Sequence, residues 1–128
     1  MNKCKDGPRP AVIGTCSLSA RGINDPDQLL INGLAMVDKM ARKADENGWN
    51  LDIVVLPEGF AHVDGSSSLE NAEALDGNII TVLAEKAREY NIYAAVPLWL
   101  CEGKETHNSV VILDRAGSYS VSITRSFP

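Results

Sequence analysis

The sequence predicts an α/β protein in which helices pack on a mixed β-sheet. Apolar, β-branched segments alternate with segments whose apolar residues recur every three to four positions, which indicates the order β-α-β-α-β-β-β. A strand-helix-strand unit returns its second strand parallel to the first, whereas strands joined by a short turn pair antiparallel. The chain has 128 residues, 45% hydrophobic and 23% charged, as is ordinary for a folded domain or part of one.

The first strand follows a short polar segment. Residues 1–10 contain Gly7, Pro8 and Pro10 among charged residues, which predicts a flexible lead-in rather than a helix or strand. Residues 11–18 are short, apolar and rich in β-formers, and we expect them to form the first strand.

The first helix has a start signal, an apolar stripe and a stop signal. Asp25 is suited to cap it, Pro26 to occupy its first turn, and Gln28 to complete a capping box. Asn47 and Gly48 supply the stop. The apolar stripe consists of Leu30, Leu34, Val37, Ala41 and Ala44. The face predicted to lie in water carries Asp38, Lys39, Arg42, Lys43 and Glu46.

The later elements follow the same logic. Residues 51–56 predict a strand that is apolar on both faces after Asp52, as in a sheet covered on each side. A second helical stripe runs from Ile79 to Tyr90, and Asn91 is suited to end it. Further strands are predicted at 92–100 and 109–113, with a turn at 114–117 before a fifth candidate strand. Trp49 and Trp99 are predicted to be packing residues.

Composition argues against several classes of partner. With 12 Lys and Arg against 17 Asp and Glu, the net charge is −5, and scattered basic residues predict no nucleic-acid binding. The most apolar run, 92–101, is about half the ~20 residues that cross a bilayer, so no membrane span is expected. No secretory signal is recognisable, and the three cysteines, Cys4, Cys16 and Cys101, predict free thiols and a cytoplasmic location.

Glu58 is the main candidate for chemistry. It follows a buried strand and a proline, so a rigid element directs it from the edge of the sheet, where α/β proteins place ligand groups. The alternative from the residues alone is a solvated glutamate that opens a loop. His62, His107 and Cys101 lack metal-ligand spacing, and we interpret Cys101 as a small buried thiol and His107 as a surface imidazole. We therefore predict no metal and no cofactor.

Four segments in register resemble the N-terminal half of the carbon–nitrogen hydrolase (nitrilase) superfamily. The resemblance spans residues 11–117, and His107 stands where the family pattern begins with tyrosine. The segments are DIVVLPEGF at 52–60, LDG at 75–77 with LAEKAR at 83–88, YAAVPL at 93–98, and HNSVVILDRAG at 107–117.

The resemblance implies the N-terminal portion of a four-layer α-β-β-α sandwich and a Glu-Lys-Cys catalytic set acting on an amide or nitrile. In that set the cysteine forms a covalent thioester, the glutamate is the general base and the lysine stabilises the tetrahedral intermediate. Glu58 carries over as the general base. Arg125 stands at the lysine position, and since a guanidinium is not equivalent to an ammonium we assign it no catalytic role. The nucleophilic cysteine is expected beyond residue 128.

The resemblance also implies that residues 11–128 are a partial domain, inactive by itself. Codons can be chosen for the family-like peptide Gly-Lys-Tyr-His-Lys-Val-Phe-Pro such that a reading frame shifted by one nucleotide encodes a different peptide. That peptide is Val-Ser-Ile-Thr-Arg-Ser-Phe-Pro, the sequence of residues 121–128. We hypothesise that a frameshift produced these residues, which resequencing the DNA would test. The alternative function is a non-catalytic α/β interaction module. Half a sandwich would leave one sheet face uncovered, so we expect a homo-oligomer or an aggregating chain.

Overall fold

The computed structural model describes residues 8–125, and for residues 68, 69 and 120–125 the backbone alone. Cys4, most of the predicted lead-in, and residues 126–128 of the frameshift hypothesis lie outside the described residues. The elements are β1 Ile13–Thr15, α1 Pro26–Glu46, β2 Ile53–Val55, α2 Ser68–Asn71, α3 Asn78–Tyr90, β3 Tyr93–Glu102, β4 Glu105–Leu113 and β5 Tyr119–Arg125. No helix within the described residues is long and apolar enough to cross a membrane.

The strands form one mixed sheet in the order β1-β2-β3-β4-β5. The first three strands are parallel, and β4 and β5 add antiparallel neighbours. The predicted α/β class with a mixed sheet is therefore confirmed, and the structure adds the one-turn helix α2. β1 and β2 are shorter than predicted, while β4 begins earlier, at Glu105.

The ends of α1 follow most of the predicted signals. The Asp25 carboxylate accepts a hydrogen bond from the Asp27 backbone N–H at 2.9 Å, and Pro26 is the first helical residue. The prediction that Gln28 completes a capping box is wrong. Gln28 donates its side-chain amide to Asn32, 2.8 Å away and one turn further along the helix, instead of reaching back to Asp25.

The apolar stripes of α1 and α3 pack on one face of the sheet. Both helices contribute to a single core with the central strands, in which residues such as Val37, Leu83 and Val96 are no more than 1% exposed. Burying each such side chain contributes about 1.5–3 kcal/mol to the free energy of folding.

A polar contact also joins the two helices. Asp38 was predicted to lie in water, but α3 packs beside that turn of α1, and Asp38 accepts hydrogen bonds from Lys86 Nζ at 2.7 Å and from the Tyr90 hydroxyl. Burial raises the pKa of Asp38, and these two donors more than offset it, so that the pKa lies below its usual value. The same contact raises the pKa of Tyr90 to about 12.

The opposite sheet face carries exposed apolar side chains. Ile13 is 59% exposed and Val55 36% exposed, on the face turned away from the helices. Trp49 was predicted to be a packing residue, and this is wrong, because its side chain is 59% exposed just after α1.

Asp52 is the centre of a hydrogen-bond network at the edge of the sheet where the parallel strands begin. Its carboxylate accepts from the Val12 backbone N–H at 2.8 Å, from Arg9 at 2.5 and 2.9 Å, and from Arg115 at 3.1 Å. The hydrogen bond from Arg9 is the main reason that the pKa of Asp52 falls to about 2. Arg9, within the predicted lead-in, is thus attached to the sheet.

Candidate active site

Glu58 lies on a tight turn directly after the second strand. Leu56 still donates to the Ala95 carbonyl of β3 at 3.1 Å, and the chain then leaves the sheet at Pro57. The Phe60 N–H donates back to the Pro57 carbonyl at 3.2 Å, and Gly59 adopts a φ of 75°, a conformation that favours glycine. The turn presents the exposed Glu58 side chain at the edge where the parallel strands end.

Phe60 anchors this turn to the protein interior. Its ring is 3% exposed and packs against Gly33 of α1, where an added Cβ would lie 3.0 Å from two ring carbons. The missing side chain at Gly33 therefore lets the ring approach the helix backbone. The position of Glu58 is set from both sides, by β2 before it and by Phe60 after it.

The Glu58 carboxylate accepts a hydrogen bond from the side chain of Asn108. Asn108 Nδ2 donates to Glu58 Oε1 at 3.2 Å, across 50 positions of sequence. The β3–β4 hairpin brings Asn108 to this edge, where it pairs with Trp99. The sequence indicates Asn108 only through the family pattern that begins at His107.

A cavity of about 180 Å³ opens beside Glu58. Most of its wall is apolar, and its polar lining comes from Glu58, Asn108, His62 and Asn71. His62 Nε2 lies 3.0 Å from the Ser66 carbonyl, and the Asn71 side chain accepts a hydrogen bond from the Val63 N–H at 2.9 Å. These hydrogen bonds hold the segment that forms this side of the cavity. The apolar lining residues are Ala61, Ile79, Pro97, Leu98 and Trp99.

Arg125, at the lysine position of the family pattern, ends β5 at this same edge. Its Cα pairs with that of Asn108, the residue that contacts Glu58. The sheet thus brings position 125 next to the Glu58 site. The assignment of Glu58 as general base and of no catalytic role to Arg125 stays a prediction.

The other candidates lie apart from the lining of this cavity. His107 Nε2 is 3.4 Å from a Glu105 carboxylate oxygen, and Cys101 Sγ is 3.5 Å from the Gly103 carbonyl. Burial raises the pKa of the Cys16 thiol, which disfavours the reactive thiolate. Within residues 8–125, no cluster of three or more His, Cys, Asp or Glu is arranged to hold a metal ion.

A carboxylate presented on a tight turn, beside a small cavity at the carboxyl ends of parallel strands, is typical of α/β enzymes. The carbon–nitrogen hydrolase family profile matches residues 11–126 of the chain. The chain therefore belongs to the carbon–nitrogen hydrolase family.

Solved structures share this fold. A carbon–nitrogen hydrolase from Helicobacter pylori G27 matches 90% of the chain with a TM-score of 0.68 and 16% identity. The NitN amidase from Neterenkonia sp. AN1 matches 91% with a TM-score of 0.66 and 23% identity. An N-terminal amidase matches 91% with a TM-score of 0.72 and 17% identity.

The chain spans 39%, 44% and 28% of the lengths of these structures, respectively. No curated protein matches the chain in sequence.

Proposed function

We propose that this chain is the part of a hydrolase that carries the general base, Glu58, and that the hydrolase cleaves the non-peptide C–N bond of an amide or nitrile. The observation that carries the proposal is the Glu58 carboxylate, held by Asn108 at the mouth of a small, largely apolar cavity. Family membership supports the reaction class, and the cavity is large enough for the acyl part of a small molecule.

In the proposed mechanism Glu58 moves protons in two stages. It first takes the proton of a cysteine thiol, and the resulting thiolate attacks the substrate carbon. For an amide, the proton passes to the leaving nitrogen, so that ammonia departs and a thioester remains. Glu58 then takes a proton from water, whose oxygen attacks the thioester; the C–S bond breaks, the carboxylic acid is released, and Glu58 returns the proton to the departing cysteine sulfur. The cysteine is not assigned within these 128 residues, so we propose that the chain alone is inactive.

The charge on the tetrahedral intermediate needs a second group. In the family pattern this is a lysine, and here Arg125 holds the position. A guanidinium is a broad planar fork, whereas an ammonium is compact, so the two groups do not replace each other at a tightly packed oxyanion site. This difference favours the second candidate function, a non-catalytic interaction module that keeps the scaffold. A downstream reading frame with a cysteine at a strand-to-helix elbow would support the enzyme, and an intact gene without one would support the module.

The experiment is ammonia release from a panel of amides and nitriles, measured for the chain and for a longer protein that carries it. Glu58→Gln should lower kcat in the longer protein by about 10²–10⁴-fold, the usual contribution of a general base. Glu85→Gln, a change of the same kind at an exposed site on α3, is the matched control and should leave activity unchanged. Turnover that survives Glu58→Ala would contradict the proposal, as would activity of the 128-residue chain that depends on Cys16 or Cys101.

We also propose a cytoplasmic location. Cys16 and Cys101 are free thiols, which fits a reducing compartment. Localisation of a tagged chain by cell fractionation tests this, and recovery from a secreted fraction would overturn it.

A further inference from the structure

Glu73 is a half-buried carboxylate that the proposed mechanism does not use. It lies between α2 and α3, and its backbone pairs with the end of β3. The Glu73 N–H donates to the Trp99 carbonyl at 2.9 Å, and the Cys101 N–H donates to the Glu73 carbonyl at 3.0 Å. The backbone of residue 73 is therefore fixed to the sheet beside Trp99, which lines the Glu58 cavity.

The side chain of Glu73 extends in another direction, to the start of α3. Glu73 Oε1 accepts a hydrogen bond from the Ile79 backbone N–H at 2.5 Å. The helix begins after Gly77, which has no side chain to cap it, so Glu73 satisfies one of the free N–H groups of the first turn. Gly77 also leaves space for this contact, because an added Cβ there would overlap the Glu73 side chain.

This arrangement differs from an ordinary helix cap. A serine or aspartate at position 77 would cap α3 locally, with its polar group close to water. The Glu73 carboxylate is instead half-buried, and this burial raises its pKa. Unlike a local cap, Glu73 connects β3, through its backbone, to α3, through its side chain. These two elements contribute Trp99 and Ile79 to the cavity wall.

We propose that Glu73 is a positioning residue that sets the width of the Glu58 cavity by holding Ile79 and Trp99 at a fixed separation. Its catalytic consequence rests on the proposed function, whereas its effect on the cavity wall does not. Without the carboxylate, the first turn of α3 is free to move away from β3, and Trp99 becomes more accessible to solvent.

Fluorescence quenching of Trp99 tests this without any turnover. The chain has two tryptophans, so Trp49→Phe at the exposed site leaves Trp99 as the single reporter. In that background Glu73→Ala should raise the acrylamide quenching constant about twofold, because local opening admits the quencher. Glu73→Gln keeps an acceptor oxygen and should restore the original value, while Glu85→Ala, at an exposed position on α3, should change nothing. Equal thermal midpoints for Glu73→Gln and the parent would show that the fold is intact.

A second variant keeps the test independent of folding defects in Glu73→Ala. Gly77→Ala should displace the Glu73 carboxylate and raise the quenching constant by itself, and should add nothing once Glu73 is alanine. Additive effects, or an unchanged constant in Glu73→Ala, would overturn the proposal. In an active longer protein, Glu73→Ala should raise KM with a smaller change in kcat. A normal KM together with increased quenching would count against the catalytic consequence, whereas absence of turnover in the parent would count only against the proposed function.

Discussion

At the scale of single residues, the hydrogen bond from Asn108 restricts the carboxylate of an otherwise exposed Glu58. A general base works only from one geometry, and a displacement of about 1 Å can cost up to about 100-fold in rate. We therefore expect Asn108→Ala to lower kcat for amide hydrolysis by about 10- to 100-fold, in a protein that turns over.

The control for this prediction is Asn50→Ala, an exposed asparagine among the residues near Asp52. Combining Asn108→Ala with Glu58→Gln should cost no more than Glu58→Gln alone, because Asn108 acts through Glu58. Fully additive losses of kcat would mean that Asn108 acts on the substrate by another route.

Asp52 predicts how stability depends on pH. Its pKa is lowered to about 2 in the folded chain, below its ordinary value near 3.9. The carboxylate therefore stabilises the fold fully above about pH 5, and this contribution is lost as the pH falls towards 2. Asp52→Asn should lower the urea midpoint at pH 7, and the difference from the parent should narrow below about pH 4. Asp45→Asn, an exposed change on α1, is the control, and a difference that is constant with pH would contradict the role of Asp52.

The sequence predicted those residues whose signals are local. Glu58 could be singled out because Pro57 and a buried strand precede it, and Asp25 because a cap lies next to the helix that it caps. Asn108 and Glu73 depend on contacts between segments far apart in the chain, which no local pattern reports. Asp38 was assigned to water because the periodicity of one helix does not reveal which neighbour packs beside it.

At the scale of elements, the turn after β2 owes its position to Phe60. The ring is buried against α1, so removing it leaves a cavity and frees the turn that carries Glu58. Phe60→Ala should lower the free energy of unfolding by about 3–5 kcal/mol, as for other buried aromatic residues. Denaturant unfolding measures this, and Phe60→Leu, which retains most of the apolar volume, should cost less. A loss below about 1 kcal/mol for Phe60→Ala would show that the turn is held by other contacts.

The element boundaries illustrate what patterns leave out. The predicted and observed ends of α1 and α3 agree closely, because Asn47 and Asn91 are helix-ending residues that act through their own backbone neighbours. Strand lengths were less accurate, since a strand ends where its partner ends. β4 extends back to Glu105 because β3 continues to Glu102 opposite it.

At the scale of the whole molecule, the two sheet faces differ. Helices cover one face, while the other presents exposed apolar residues that include Ile13 and Val55. We expect the 128-residue chain to self-associate through this face, as measured by light scattering over a range of concentrations. Ile13→Lys should shift the chain towards the monomer.

Ile31 provides the control for self-association. It is 56% exposed, close to the 59% of Ile13, but lies on the outer side of α1. Ile31→Lys should therefore leave the association unchanged. A monodisperse monomer of the unaltered chain, or equal effects of the two lysine substitutions, would contradict the prediction.

The hairpin loop between β3 and β4 limits which insertions the chain can tolerate. Its loop is only Gly103 and Lys104, with a φ of 62° at Gly103, and it lies at the surface, where added residues are usually harmless. Side chains alternate between the faces of a strand, so a single inserted residue that shifted the register of β4 would turn Asn108 away from Glu58. Natural variation in this loop should therefore preserve its length, although neither Gly103 nor Lys104 lines the Glu58 cavity.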